Sequence, residues 1–179
     1  HIGKEDGGTG YAYTFRNCFA LEELKLPSTL KVIAAEVFEF SGLKSIVIPA
    51  SVEKIGGSKS FYECRDLETV TFENAANINS LGGSTFAGCT SLKTVSGGFN
   101  AEYIDRAFEG CTSLERVLIG EKAKSAAGTF SGCTSLVNVS VKNGIAALDR
   151  TFENCTSLSS VVIPESVTRL DSAFSGCVS

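Results

Sequence analysis

Seven cysteines, at positions 18, 64, 89, 111, 133, 155 and 177, are the residues whose type is best suited to chemistry. A thiolate can attack a carbonyl, exchange with a disulfide or hold a zinc ion, and each role needs partners. Zinc needs ligands that wrap it tetrahedrally, and the chain has no C-x-x-C pair to start such a site. Cys-His and Ser-His-Asp catalysis need an imidazole, yet the single histidine is His1 at the terminus. Three aspartates also recur, Asp105, Asp149 and Asp171, each three residues before a phenylalanine. A sugar hydrolase would hold two of them about 5 to 10 Å apart across a cleft. Aspartate at one fixed position reads more simply as a turn residue whose carboxylate takes up local N–H groups. No catalytic residue, cofactor or metal ligand is assigned, and the chain is read as non-enzymatic.

Glycine-rich stretches fare no better. "GGTG" at 7–10 lacks the helix and the later acidic residue of a dinucleotide site, and "GGSKS" at 56–60 lacks the spacing of a phosphate loop. The sequons at Asn138 and Asn154 are explained by chance, the second lying inside a recurring motif. A net charge of −4, with no Lys/Arg cluster among aromatics, argues against nucleic acid. No apolar run approaches the roughly 18 residues of a membrane span. With 43% apolar and 20% charged residues the chain can bury a core. It contains no methionine, so it reads as a mature or excised piece.

The elements that must position these residues follow from their spacing. Phenylalanines fall at 15, 38, 61, 86, 108, 130, 152 and 174, and every cysteine lies three residues after one of them; only the second unit differs, with Ser41 there. A period of 22 to 25 residues with this self-similarity indicates a solenoid whose turns bury their apolar faces on one another. In the sixth unit the inward positions are Leu136, Val139, Val141, Ile145, Leu148, Phe152 and Cys155, and the next repeats them through Leu158, Val161, Ile163, Val167, Leu170, Phe174 and Cys177. The cysteines are therefore read as reduced, buried thiols in an apolar ladder beside the phenylalanines.

Each unit carries one β-branched stretch with the alternation of a short strand, closed in several units by Pro27, Pro49 or Pro164. Stacking at about 4.8 Å predicts a parallel sheet on a rod roughly 35 to 40 Å long. Two turns look underfilled: Gly97 takes an inward strand position, with Phe99 available to compensate, and Ala123 and Ala126 replace a larger pair. The expected layout is an irregular segment or incomplete repeat over 1–14, then one array of about eight units over 15–179. That array reads as truncated at its C-terminal end, before the leucine of a further strand.

The pattern F-x-x-C-T-S-L-x-x-V-x-I-P-x-S-V-x-x-I resembles the BspA-like leucine-rich repeats, a family that includes bacterial surface antigens. The resemblance runs from Phe15 to the end. It implies a right-handed leucine-rich repeat solenoid with one short parallel strand per turn and little or no α-helix, at the cell surface or outside the cell. The chain departs from the general leucine-rich pattern in lacking an Asn/Cys ladder eight residues after each leucine. Thr29, Ser51, Ala75, Asn100, Lys122, Gly144 and Ser166 stand there instead, so that corner must satisfy its backbone another way.

Outward strand positions are then the natural candidates for binding. Thr69, Thr71, Thr94, Ser96, Arg116, Leu118, Asn138 and Ser140, with Val47 and Val162, form the expected partner face, a flat surface suited to a protein or glycan. Arg116 is its natural centre unless it is spent on Glu115 or Glu68. The function expected is a binding or adhesion module of a larger protein, the alternative being a passive spacer or assembly scaffold.

Overall fold

The structure is a computed structural model that describes residues 13–73, 78, 80–97, 100–118 and 120–178, without the Leu118 side chain. His1, the 7–10 glycine loop, Ala75 and Phe99 lie outside the described residues.

Eight strands and no helix are present among them: β1 (Val32–Ile33), β2 (Ser45–Ile48), β3 (Lys54–Ile55), β4 (Thr69–Phe72), β5 (Thr94–Ser96), β6 (Arg116–Leu118), β7 (Asn138–Ser140) and β8 (Ser160–Val162). Six of them pair in parallel, in the order β2-β4-β5-β6-β7-β8, and this sheet is one wall of the coil. The pairing keeps equivalent repeat positions side by side, as with Arg116, Asn138 and Ser160. Alternation decides the faces: in β2 the residues Ile46 and Ile48 are buried while Ser45 and Val47 are exposed.

One expectation needs correction here. The first unit forms no strand at 23–25; Lys44 N donates to Glu22 O at 3.0 Å, but the charged Glu23 and Lys25 stay outside the sheet. From Ser45 onward each turn supplies one short strand to the main sheet, as expected. A second parallel ladder runs down the opposite wall, pairing β1 with β3 and continuing as single bridges from Ile55 to Leu81, Tyr103 to Ser125 and Ala147 to Arg169.

A third set of axial hydrogen bonds accompanies the phenylalanines. Around Phe108, the N–H groups of Arg106, Phe108 and Gly110 donate to Ala127, Thr129 and Ser131 of the next turn at 2.9, 3.0 and 2.8 Å. Residues two before and two after the ring adopt left-handed backbone, including Glu36 and Phe40 about Phe38 and Arg150 and Asn154 about Phe152. Such a conformation costs a side-chain-bearing residue about 1–2 kcal/mol. The alternation turns every second N–H along the axis, so three bonds to the next turn offset that cost.

Inside, the eight rings form one stack from Phe15 to Phe174, with centroids between 4.8 and 5.9 Å and planes within 15°. The thiols run beside it as buried groups, and they do more than fill space. Six of the seven donate to the carbonyl of the preceding turn's phenylalanine, among them Cys64 to Phe38 at 2.9 Å, and Cys111 to Phe86 and Cys133 to Phe108 at 3.1 Å. A buried hydroxyl ladder parallels them, Thr129 Oγ1 donating to Ile104 O and Thr151 Oγ1 to Ala126 O at 2.9 Å.

The corner without an Asn/Cys ladder is closed by side chains that bond across to a neighbouring turn. Ser51 Oγ donates to Leu30 O at 2.7 Å, Ser166 Oγ to Ile145 O at 2.9 Å, and Asn100 Oδ1 accepts from Lys122 N at 3.1 Å. Gly97 is no lost core residue either: its φ is +79°, and a Cβ there would lie 1.8 Å from Phe72 O. Leu170, expected inside, is 47% exposed, because no further turn among the described residues covers it.

All seven cysteines are free thiols, five buried and two, Cys18 and Cys177, half-buried at the ends. Desolvation holds the thiols of Cys89, Cys111 and Cys133 above the ordinary value of 9.0 and pushes Cys155 up to about 12. Cys64 is the exception, lowered by hydrogen bonds from Cys89 and Ser41. The folded chain keeps protons that the unfolded chain releases near pH 9, so this contribution is whole below pH 9 and is lost as pH rises. Urea midpoints should fall between pH 8 and 10.5, and fall less in Cys111→Ala. Thiol titration at pH 8 should label the two end cysteines natively and all seven in denaturant; quantitative native labelling of Cys111 would refute the buried ladder.

The sheet is thinnest between β5 and β6, where only Thr94 and Arg116 are paired against three or four residue pairs at the other junctions. Alanines 123 and 126 fill the next turn of the core there. Opening should therefore start at this junction. In hydrogen exchange, amides of 116–118 and 120–128 should exchange at least tenfold faster than those of 69–72; equal protection would count against it.

Candidate functional site

The strands bring the expected face residues together from across the chain. Thr69, Thr94, Arg116 and Asn138 stand in one row, each in register with the next. Val47 and Thr71 begin a second row, in register with each other, and Leu118, Ser140 and Val162 continue it at the other end. Residues 22 to 25 apart in sequence thus lie about 4.8 Å apart in space.

Within this surface, Thr69, Thr94, Arg116, Asn138 and Ser140 are exposed, and so are Val47 and Val162. Thr71 and Ser96 are half-buried and tied to each other, Ser96 Oγ donating to Thr71 Oγ1 at 3.1 Å. Leu118 has its place in β6; its side chain lies outside the described residues.

A groove of about 530 Å³ crosses β5, β6 and β7 at the middle of the sheet. Thr94, Arg116, Asn138 and Ser140 line it as the sequence suggests, over Val95, Val117 and Val139. Lys93 and Glu115 complete the rim and were missed as face residues, although their place directly after a strand leucine was readable. Glu68 is taken by Lys93 at 3.0 Å, and among the described residues Arg116 pairs with neither Glu68 nor Glu115. A second hollow of about 840 Å³ lies at the N-terminal edge, among Glu23, Lys25, Val47 and Glu73.

The aspartates have structural partners. Asp105 Oδ1 accepts from Ser125 Oγ at 2.5 Å and from Ala127 N at 2.8 Å. Asp149 accepts from both the Nε and Nη2 of Arg169, which holds its carboxyl below the usual range. An acid held ionised by a guanidinium is the opposite of a proton donor near neutrality. Two backbone N–H groups of the 56–60 loop serve neighbouring turns, Gly56 donating to Ile33 O and Lys59 to Gly83 O. No group of three or more His, Cys, Asp or Glu side chains that could hold a metal occurs among the described residues, and none of their helices could cross a membrane.

Comparison with known proteins agrees with this architecture. The family described as BspA type Leucine rich repeat region matches residues 10–126 and 57–179, in six copies. A leucine-rich repeat protein from Bacteroides ovatus is similar at 32% identity with a TM-score of 0.74, over 88% of this chain and 40% of that one. A leucine rich cell surface protein from Faecalibacterium prausnitzii is similar at 32% identity and 0.74, over 83% and 41%. A leucine-rich repeat protein from Eubacterium ventriosum is similar at 28% identity with a TM-score of 0.73, over 84% of this chain and 41% of that one. The chain thus spans about 40% of the length of these relatives. No curated protein matches it.

If Asp105 serves the turn, Asp105→Ala should lower stability by about 1–2 kcal/mol in urea unfolding, the cost of leaving part-buried donors without their acceptor. A variant as stable as the parent would remove that structural role.

Proposed function

The chain belongs to the BspA-type leucine-rich repeat family, and from that premise we propose that it is a non-enzymatic binding module. It presents its six-stranded sheet to a protein partner, as part of a larger protein at the cell surface. The observation that carries this reading is the groove across β5, β6 and β7, where the exposed, short, polar Thr94, Asn138 and Ser140 stand over three valines beside a guanidinium, Arg116, that has no ion pair among the described residues. Short side chains let a partner approach the strands closely, and arginine is enriched among residues that dominate binding energy. A relative described as a cell surface protein supports the location, as does a fold likeness, at 19% identity, to a pneumococcal vaccine antigen.

A spacer would tolerate change across the sheet, whereas a binding face would not. The chain should be screened against arrays of extracellular proteins and glycans, and any binder measured again with Thr94→Tyr and Asn138→Tyr together. These rings crowd the groove from both sides without altering charge. Affinity should fall at least tenfold, about 1.4 kcal/mol, with circular dichroism and the unfolding midpoint unchanged. Undiminished affinity in the folded double variant would move binding off the sheet.

A further inference from the structure

Positions directly after the leucine of each unit form a row down the solenoid that reads Glu22, Lys44, Glu68, Lys93, Glu115, Val137 and Ser159, so that its charges end at Glu115. Charges alternate along it, and neighbours pair from the first turn: Lys44 with Glu22 at 2.7 Å, then Lys93 with Glu68 at 3.0 Å. Glu115 comes next, and its following neighbour is Val137. The charged run therefore ends on a carboxylate without a cationic partner among the described residues. Arg116 is left over in the same way, flanked in its own row by Thr94 and Asn138. Some other surface charges are paired, as Lys31 with Glu53, Lys124 with Glu102 and Arg169 with Asp149. The unmatched carboxylate and the unmatched guanidinium are adjacent residues, and both line the central groove over the three valines.

We infer that this groove takes an extended segment of a partner protein carrying an acidic and a basic side chain beside an apolar one. The acid is forked on the Arg116 guanidinium, whose planar donors match a carboxylate. The base meets Glu115, and the apolar group covers Val95, Val117 and Val139. An acidic glycan could meet the cations Arg116 and Lys93 but would bring its charge against Glu115; none of the residues lining the groove is aromatic, so a sugar ring has nothing to stack on. The inference rests on the sheet being a binding face and adds the charge pattern of what it binds.

The test uses a capped eight-residue peptide with adjacent Glu and Lys between valines, its Gln/Lys and Glu/Gln counterparts, and an oligomer of galacturonic acid. Binding is read from amide shifts of 94–96, 116–118 and 138–140 in the intact chain. The Glu/Lys peptide should bind about tenfold more tightly than either neutralised form. Arg116→Gln should erase the preference for Glu over Gln and keep that for Lys, while Glu115→Gln does the reverse; either variant's fold is checked by its unshifted remaining amides. Equal binding of all three peptides on these strands would overturn the charge pattern and leave the binding face standing. Peptide shifts elsewhere, no binding at millimolar peptide, or preference for the uronate would overturn the inference.

Discussion

Backbone hydrogen bonding along the solenoid axis, between residues about 22 apart, is the constraint on which everything else in this molecule depends. Three ladders carry it: the six-stranded sheet, the narrow ladder opposite, and the left-handed turns about the phenylalanines. Once the backbone is committed to neighbouring turns, each side chain meets its own counterpart above and below. A position therefore works only if its residue type stacks on itself. Phenylalanine rings do so as near-parallel plates, and small thiols and hydroxyls do so because each can donate to a carbonyl one turn away.

That last point explains why cysteine and threonine recur where larger apolar residues would pack as well. A turn as tight as the one about Phe108 leaves carbonyl lone pairs facing the interior, and a buried acceptor without a donor costs about 1–3 kcal/mol. Cys133 Sγ meets Phe108 O, and Thr129 Oγ1 meets Ile104 O. The side chains are thus part of the backbone's hydrogen bonding. Their chemistry as nucleophiles or metal ligands is suppressed by the same burial, which keeps the thiols protonated.

Self-stacking also shapes the surface. Like charges one strand apart repel, so a charged row is stable when its signs alternate, as from Glu22 to Lys93. Where the alternation stops, charge is left unmatched. In this chain it stops beside β6, at the rim of a groove. An imperfection in the repeat is the natural place for individuality, because a perfect repeat would look the same at every turn.

The sequence by itself determined the period, the inward residues, the ring and thiol ladders, and the outward rows, since each of these depends only on spacing and on residues stacking upon their equivalents. It also offered Arg116, which lines the central groove, as a candidate for partner contact. What it left undecided belongs to the places where a turn departs from its neighbours. That Gly97 meets the Phe72 carbonyl, that Ser51 and Ser166 close the corner, and that Leu170 is bare are facts about contacts between turns. So are the second ladder at Val32–Ile33 and the unmatched charges at Glu115 and Arg116. One turn's sequence states which groups it offers; only the stacked structure decides which of them the next turn uses up.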